Sequence, residues 1–419
     1  MPAKKFDLIV FGASSFVGEI LTRYLAETFG VDGDLHWAIA GRSERKLQTV
    51  RGTLAPILGD KAKDVQILLA DAADETQLQE LTSKTKVVVS TVGPYALYGE
   101  PLVKVCAENG VDYCDLTGEA QWIKRMLAKY ENTAQESGAR IVHCCGFDSV
   151  PSDMGVYFLQ QQAEQEFGEM ASRIKMRVKA AKGGMSGGTV ASIINLTKEA
   201  IANPGLRKEL ANPFSICPAD AGFKTRQPNI KSSVFDADFN AWSAPFIMAA
   251  INTRVVHRSN ALRDKAYGES FIYDEAMLMG KGVKGRMSAM ALVAGLGAFM
   301  LGAVAKPTRW LLENYVLPKP GEGPTPQQQL DGFYDIRFKG FTDDGRSITT
   351  KVTGDRDPGY GSTAKILGQA AASLALDFHN GTRKKGKKGG FWTPASIFDE
   401  RYIQRLRDHA GLEFEVVEK

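Results

Sequence analysis

Cysteine is scarce in this sequence and unpaired along it. There are five, none at CxxC spacing, which excludes a disulfide-built miniprotein and points to reduced thiols. Histidine is as scarce: His36, His143, His257, His379 and His409 are scattered, with no HExxH and no cysteine pair at ligand spacing. No metal site is therefore expected. The vicinal Cys144-Cys145 reads as thiol packing at a strand end. Charge of one sign is missing too. The 52 Lys+Arg against 48 Asp+Glu leave +4, too little for a nucleic-acid footprint, and no nucleic-acid partner is expected. No cleavage pattern follows Met1–Lys5, so the expectation is a cytoplasmic protein rather than an exported one. Internal repeats are absent. One absence is local: Met287–Ala305 holds no charge at all, between Lys281, Lys284 and Arg286 on one side and Lys306 and Arg309 on the other.

Glycine, by contrast, is abundant, at 42 of 419 residues, which promises tight turns and close backbone approaches. The length exceeds one comfortable core, so two domains are expected. Up to Cys145, apolar runs alternate with helical patterns. Candidate strands are Asp7–Phe11, Leu35–Ala40, Val65–Leu69, Val87–Thr91, Tyr113–Leu116 and Arg140–Cys144. Helical stretches lie near Phe16–Phe29, Glu44–Leu58, Glu75–Ser83, Glu100–Asn109 and Gln121–Ser137. This rhythm predicts an α/β domain over 1–150, a Rossmann-like doubly wound parallel sheet.

Past Cys145 the rhythm changes. Helices are expected over Val150–Phe167, Thr189–Ala202 and Gly361–Leu376, and strands over Arg173–Ala181, Ile251–Val256 and Phe271–Met279. Phe333–Phe341 and Ser347–Val352 read as a hairpin around Asp344-Gly345, and 212–245 as irregular chain. Residues 151–380 thus predict a second, α+β domain with a mainly antiparallel sheet, serving substrate binding or assembly into a homodimer. Residues 381–419 predict a basic loop and a C-terminal segment packing back on the body. The run Arg383–Lys388 reads as a solvated loop, the alternative being contact with anionic headgroups or an acidic carrier protein.

Gly12-Ala13-Ser14-Ser15-Phe16-Val17-Gly18 follows the first strand and opens a helix. A pyrophosphate needs this arrangement, because it must approach backbone N–H groups at a helix N-terminus. Gly12 would make the turn and Gly18 let helix and sheet approach, with Ser14 and Ser15 as further donors. The second strand ends Ala40-Gly41-Arg42-Ser43, without the acid that selects an unphosphorylated ribose. Arg42 and Ser43, helped by Lys46, suit a 2′-phosphate, so NADP(H) is the expected cofactor. Asp71 is placed either to reach the adenine or to cap the next helix. Thr91-Val92-Gly93-Pro94-Tyr95 follows the fourth strand, at the edge where open α/β sheets bind ligands. Tyr95 and Tyr98 then face the nicotinamide half or serve as packing.

Taken together these segments resemble the saccharopine dehydrogenase-like oxidoreductases. The closer resemblance is to the branch containing the trans-acting enoyl reductases. Gly12–Gly18, Ala40–Ser43, Thr91–Gly99, Asp115–Glu119 and Cys145–Asp153 carry it. So do Lys182–Thr189, Asn252–Asn260, Val316–Pro324 and Asp357–Tyr360, spread over nearly the whole chain. Ser15 departs from the family pattern, which has glycine there. The resemblance implies an NADP-linked oxidoreductase and, for the enoyl-reductase branch, an acyl substrate handled in trans for lipid or polyketide assembly.

Hydride transfer to an enoyl thioester needs a proton for Cα and a donor for the enolate oxygen. Tyr95, Tyr98, Asp148, Ser149 and Lys182 are the candidates, with Asp148 or Ser149 alternatively capping a helix. His143 reads as a hydrogen-bonded core residue. Gly184-Met185-Ser186-Gly187-Gly188 matches a hydrolase elbow but lies outside the parallel sheet. Three readings compete. The first is a reductase of a small-molecule or carrier-bound acyl substrate. The second is an amino-acid enzyme of saccharopine type, using Arg254, Arg258 and Arg263 to hold carboxylates. The third is an NADP(H)-binding scaffold or sensor. Met287–Ala305 is long enough to span a bilayer. It is expected instead to be a buried or interfacial helix, the alternative being peripheral membrane contact.

Overall fold

The computed structural model describes residues 4–184, 187–304, 308, 310, 322–379 and 387–417. The chain forms two compact units, Met1–Phe147 with Tyr360–Ala410, and Asp148–Gly359 with Gly411–Lys419. The expected boundary near 150 thus falls at 147/148. Residues 360–380, expected in the second domain, pack with the first.

Along the first unit run β1 (Phe6–Phe11), α1 (Phe16–Phe29), β2 (Trp37–Gly41), α2 (Glu44–Gly52), β3 (Gln66–Leu69) and α3 (Glu75–Ser83). They are followed by β4 (Thr85–Ser90), α4 (Glu100–Asn109), β5 (Asp112–Asp115), α5 (Ala120–Ser137) and β6 (Arg140–Val142). The second unit contributes α6 (Val150–Phe167), β7 (Arg173–Lys182), β8 (Val234–Asp236), β9 (Ala241–Pro245), α7 (Ala249–Leu262) and β10 (Ile272–Gly280). After these come α8 (Gly282–Val304), β11 (Phe333–Phe341) and β12 (Ser347–Gly354). The chain then returns to the first unit with α9 (Thr363–Ala372) and β13 (Gly390–Trp392), and ends in the second with β14 (Leu412–Val416).

In the first unit seven parallel strands run in the order β13-β6-β5-β4-β1-β2-β3. The order reverses between β1 and β4, the point where open sheets of this kind hold ligands. Of the flanking strands β1 is buried throughout and β4 at every residue but Lys86, as a sheet covered on both faces demands. The seventh strand, β13, was not expected from the sequence. In the second unit the order is β14-β12-β11-β7-β10-β9-β8; only β7 and β10 pair in parallel, and the other pairs are antiparallel.

Three expectations are corrected here. Ile251–Val256 is helical, inside α7 rather than a strand. The stretch 212–245 is not wholly irregular, for it holds β8 and β9 at the sheet's edge. And α8 is not a buried core helix: of its apolar window Gly282–Gly302 only 11% is buried. Gly285 and Ala289 dock against the unit, while Val283, Met287, Met290, Met300 and Leu301 face outward. Met185, Ser186 and Arg383–Gly386 lie outside the described residues, so the hydrolase elbow and most of the basic run are not described.

Candidate functional site

At the switch point of the first sheet, the loop after β1 meets the loop after β4. Gly12 takes φ +87°, and a Cβ there would stand 2.6 Å from Val92 Cγ2. Gly18 is tighter still: its Cβ would lie 2.2 Å from the Gly12 carbonyl oxygen. No side chain fits either place, so the first turn of α1 lies bare against the turn. Ser15 sits where the family pattern has glycine, and the structure gives it two tasks. It is the N-cap of α1. Its Oγ accepts from the Gly18 N–H at 3.0 Å and lies 2.9 Å from Thr91 Oγ1. Thr91 Oγ1 donates in turn to the Gly12 carbonyl at 2.9 Å. The Ser15–Thr91 pair thereby ties the two loops together across the crevice. The amides of Phe16 and Val17 belong to the first turn, where helix geometry leaves donors for an anion. Ser14 flanks them.

Arg42 stands exposed at the end of β2, in no ion pair among the described residues. Ser43 follows as N-cap of α2, its Oγ accepting from Lys46 N–H. Burial raises the Glu19 carboxyl, and nearby Lys46 opposes the shift. A guanidinium, a hydroxyl and a lysine therefore border one corner of the loop, a donor set that fits a phosphomonoester. Asp71 caps no helix. Its carboxylate accepts from Ala73 N–H, and Asp74 is the N-cap of α3.

Beyond the cis Gly93–Pro94 peptide a short helix, Tyr95–Tyr98, opens. Its first two amides donate to the two carboxylate oxygens of buried Glu119, at 2.9 and 3.0 Å. Tyr95 is 5% exposed, and its hydroxyl donates to the Ser90 carbonyl at 2.9 Å. Burial pushes that hydroxyl far above its usual range, with the Asp115 charge adding to the effect. Tyr95 is thus held as a brace against Trp122, its ring 5.4 Å away, and offers no free proton. Tyr98, at the other end of the turn, is half exposed. His143 is the core residue expected: its Nδ1 lies 2.7 Å from the fully buried Asp115 carboxylate, which also accepts from Tyr113 Oη and Thr117 N–H.

The other three candidates belong to the second unit. Lys182 is the exposed last residue of β7. Burial raises the Asp148 carboxyl to about 6. Ser149 takes the N-cap position of α6, yet its side chain does not cap the helix. It donates to Asn252 Oδ1 at 3.1 Å instead. Asn252 Nδ2 donates to Ser152 Oγ at 3.1 Å and to Glu275 Oε2 at 3.0 Å, and Tyr273 Oη donates to Glu275 Oε1 at 2.7 Å. Burial lifts Glu275 to about 7 against these hydrogen bonds. This polar chain was missed at the sequence level, and only its Ser149 end had drawn attention.

The arginines considered for carboxylate binding are spoken for. Arg254 donates to the Ala250 and Leu210 carbonyls and to Ser215 Oγ. Arg258 donates to the Ile216 carbonyl at 2.6 Å. Arg263 lies over the Tyr157 ring, 4.7 Å from its centroid.

Residues 8–142 match the family model of the saccharopine dehydrogenase NADP-binding domain, and the bare glycine turn described above fits that cofactor. A Mycobacterium tuberculosis protein named "Putative trans-acting enoyl reductase" is 38% identical over 413 residues, covering 96% of each chain. The trans-acting enoyl reductase of Mycobacterium bovis is 33% identical over 419 residues, again with 96% of each covered. Apo saccharopine dehydrogenase (L-Glu forming) from Saccharomyces cerevisiae shares the fold, with a TM-score of 0.53 at 14% identity. That likeness covers 99% of this chain and 100% of the yeast one.

Proposed function

The chain belongs to the saccharopine dehydrogenase-like oxidoreductases, in the branch of the trans-acting enoyl reductases, and from that premise we propose that it reduces the α,β-double bond of an acyl thioester carried by a separate protein. It is an NADP-dependent oxidoreductase; the substrate is the proposal. NADPH, once bound, supplies a hydride to Cβ, and Cα takes a proton from the protein or from water. The rest falls to the chain's own residues. The amides at the start of α1 cradle the pyrophosphate, and Arg42 and Ser43 hold the 2′-phosphate. Tyr98, half exposed where Tyr95 is locked, is the assigned proton donor.

The observation that carries the substrate choice is the commitment of Arg254 and Arg258 to backbone carbonyls. An amino-acid substrate with several carboxylates needs exposed guanidinium groups with free donors; Arg254 donates through all three of its nitrogens within the fold, and Arg258, 2% exposed, donates to a backbone carbonyl.

Mixing the protein with NADPH and a short enoyl thioester should consume NADPH. Tyr98→Phe should lower kcat by about 10²-fold, the contribution of one positioned acid, while leaving the affinity for NADPH unchanged. A rate that instead falls as pH rises through about 6, and that Asp148→Asn abolishes, would move the proton to Asp148. NADPH consumption only with mixtures of an amine and an oxo-acid would establish the saccharopine reading, and binding without any turnover the scaffold reading. Arg42→Ala should weaken NADPH binding by about tenfold or more and leave NADH binding as it was, since a charge-assisted hydrogen bond is lost from the phosphate alone.

A further inference from the structure

Apolar area on α8 lies exposed, without a partner among the described residues. Its window Gly282–Gly302 has a mean hydropathy of 1.4, yet Val283 is 80% and Leu301 74% exposed, with Met287, Met290 and Met300 also outward. Leaving so many large apolar side chains in water along one helix costs free energy that a soluble fold ordinarily avoids, and a contiguous patch of this kind marks a contact surface. The helix is apolar nearly all round, so it does not offer the narrow stripe that a partner helix reads.

Charge selects the occupant. From Ala276 to Leu312 the sequence has no acidic residue, and its cations are Lys281, Lys284, Arg286, Lys306 and Arg309. Both ends of the apolar stretch are therefore basic. A second copy of the chain pairing through α8 would set cations against cations whether the two helices ran parallel or antiparallel. An anionic bilayer offers what both parts need: hydrocarbon for the methionines and leucine, and negative headgroups for the flanking lysines. Arg286 leans over the Trp242 ring, 5.4 Å from its centroid, so it helps fix the helix to the unit. Lys281 and Lys284 are exposed.

We propose that α8 is a peripheral membrane-docking element that places its outward face into the surface of a bilayer containing anionic lipid. The inference stands on the second unit alone and does not depend on which substrate is reduced.

The full-length protein should co-sediment with sucrose-loaded vesicles of phosphatidylcholine mixed with phosphatidylglycerol, and much less with phosphatidylcholine alone. Met300→Asp with Leu301→Asp should weaken that partition by about tenfold or more, because a carboxylate is expelled from hydrocarbon. Lys281→Glu with Lys284→Glu should abolish the preference for the anionic vesicles, by about fivefold or more per position. Both double variants change exposed side chains, and unaltered NADPH affinity shows that they remain folded. Failure of the parent protein to sediment with either vesicle overturns the proposal. So does sedimentation that neither double variant alters. Light scattering that finds a dimer dispersed by Met300→Asp with Leu301→Asp, without any vesicle binding, assigns the face to a second copy instead.

Discussion

Gly18 shows how little freedom a phosphate-binding turn leaves. A methyl group there would meet the Gly12 carbonyl and the Ala13 backbone, none of which is the far end of a flexible side chain. Gly18→Ala is expected to lower stability by about 1–3 kcal/mol, the usual cost of overpacking, and to abolish NADPH binding; a thermal melt and a cofactor titration read both. Glu275 gives the pH dependence its sign. Its carboxyl titrates near 7 in the folded chain against an ordinary 4.5, so the folded state holds its proton more tightly than the unfolded state. That contribution is fully present below about pH 4.5 and is lost as pH rises through about 7, amounting to about 3 kcal/mol across the window. Glu275→Gln should flatten this slope and leave the protein more stable than the parent at pH 8. Denaturation midpoints that keep the parent's pH dependence would contradict it.

What the sequence reveals of these elements follows from how each is buried. The strands β1 to β6 are legible because each apolar run ends at glycine or a polar turn and a helix of the right period follows. β13 is not legible. It is three residues long, pairs with a strand 250 positions earlier, and carries no alternation. Phe391 is nearly fully buried and packs against His143 at 5.5 Å, so Phe391→Ala should cost about 3–5 kcal/mol in a denaturant titration. A mere surface strand would lose far less. α7 misleads for the opposite reason. It is buried on nearly every side, so its period of 3.6 disappears, and Val255-Val256 beside Thr253 mimics a strand. The polar chain is hidden because its members come from α6, α7 and β10, and only the folded sheet makes them neighbours. Ser15, by contrast, can be seen in the sequence as a departure from pattern; its partner Thr91 could be named only once the loops met.

The two units interleave along the chain. The first is left at Phe147 and resumed at Tyr360; the second is resumed at Gly411. A fragment ending at Phe147 would therefore lack β13 and α9 and expose the surfaces that they cover. It is expected to aggregate, or to give broad and poorly dispersed NMR spectra, while the full chain melts cooperatively. A well-dispersed spectrum from the fragment would show that the return segment is dispensable. The interleaving also bears on biosynthesis. Until residues 390–416 have been synthesised, the cofactor domain lacks an edge strand and the other sheet lacks β14, which pairs with β12. Neither half can close early. The nascent chain must carry both unfinished sheets until residues 390–416 have emerged, a long interval in which a chaperone has apolar surface to hold.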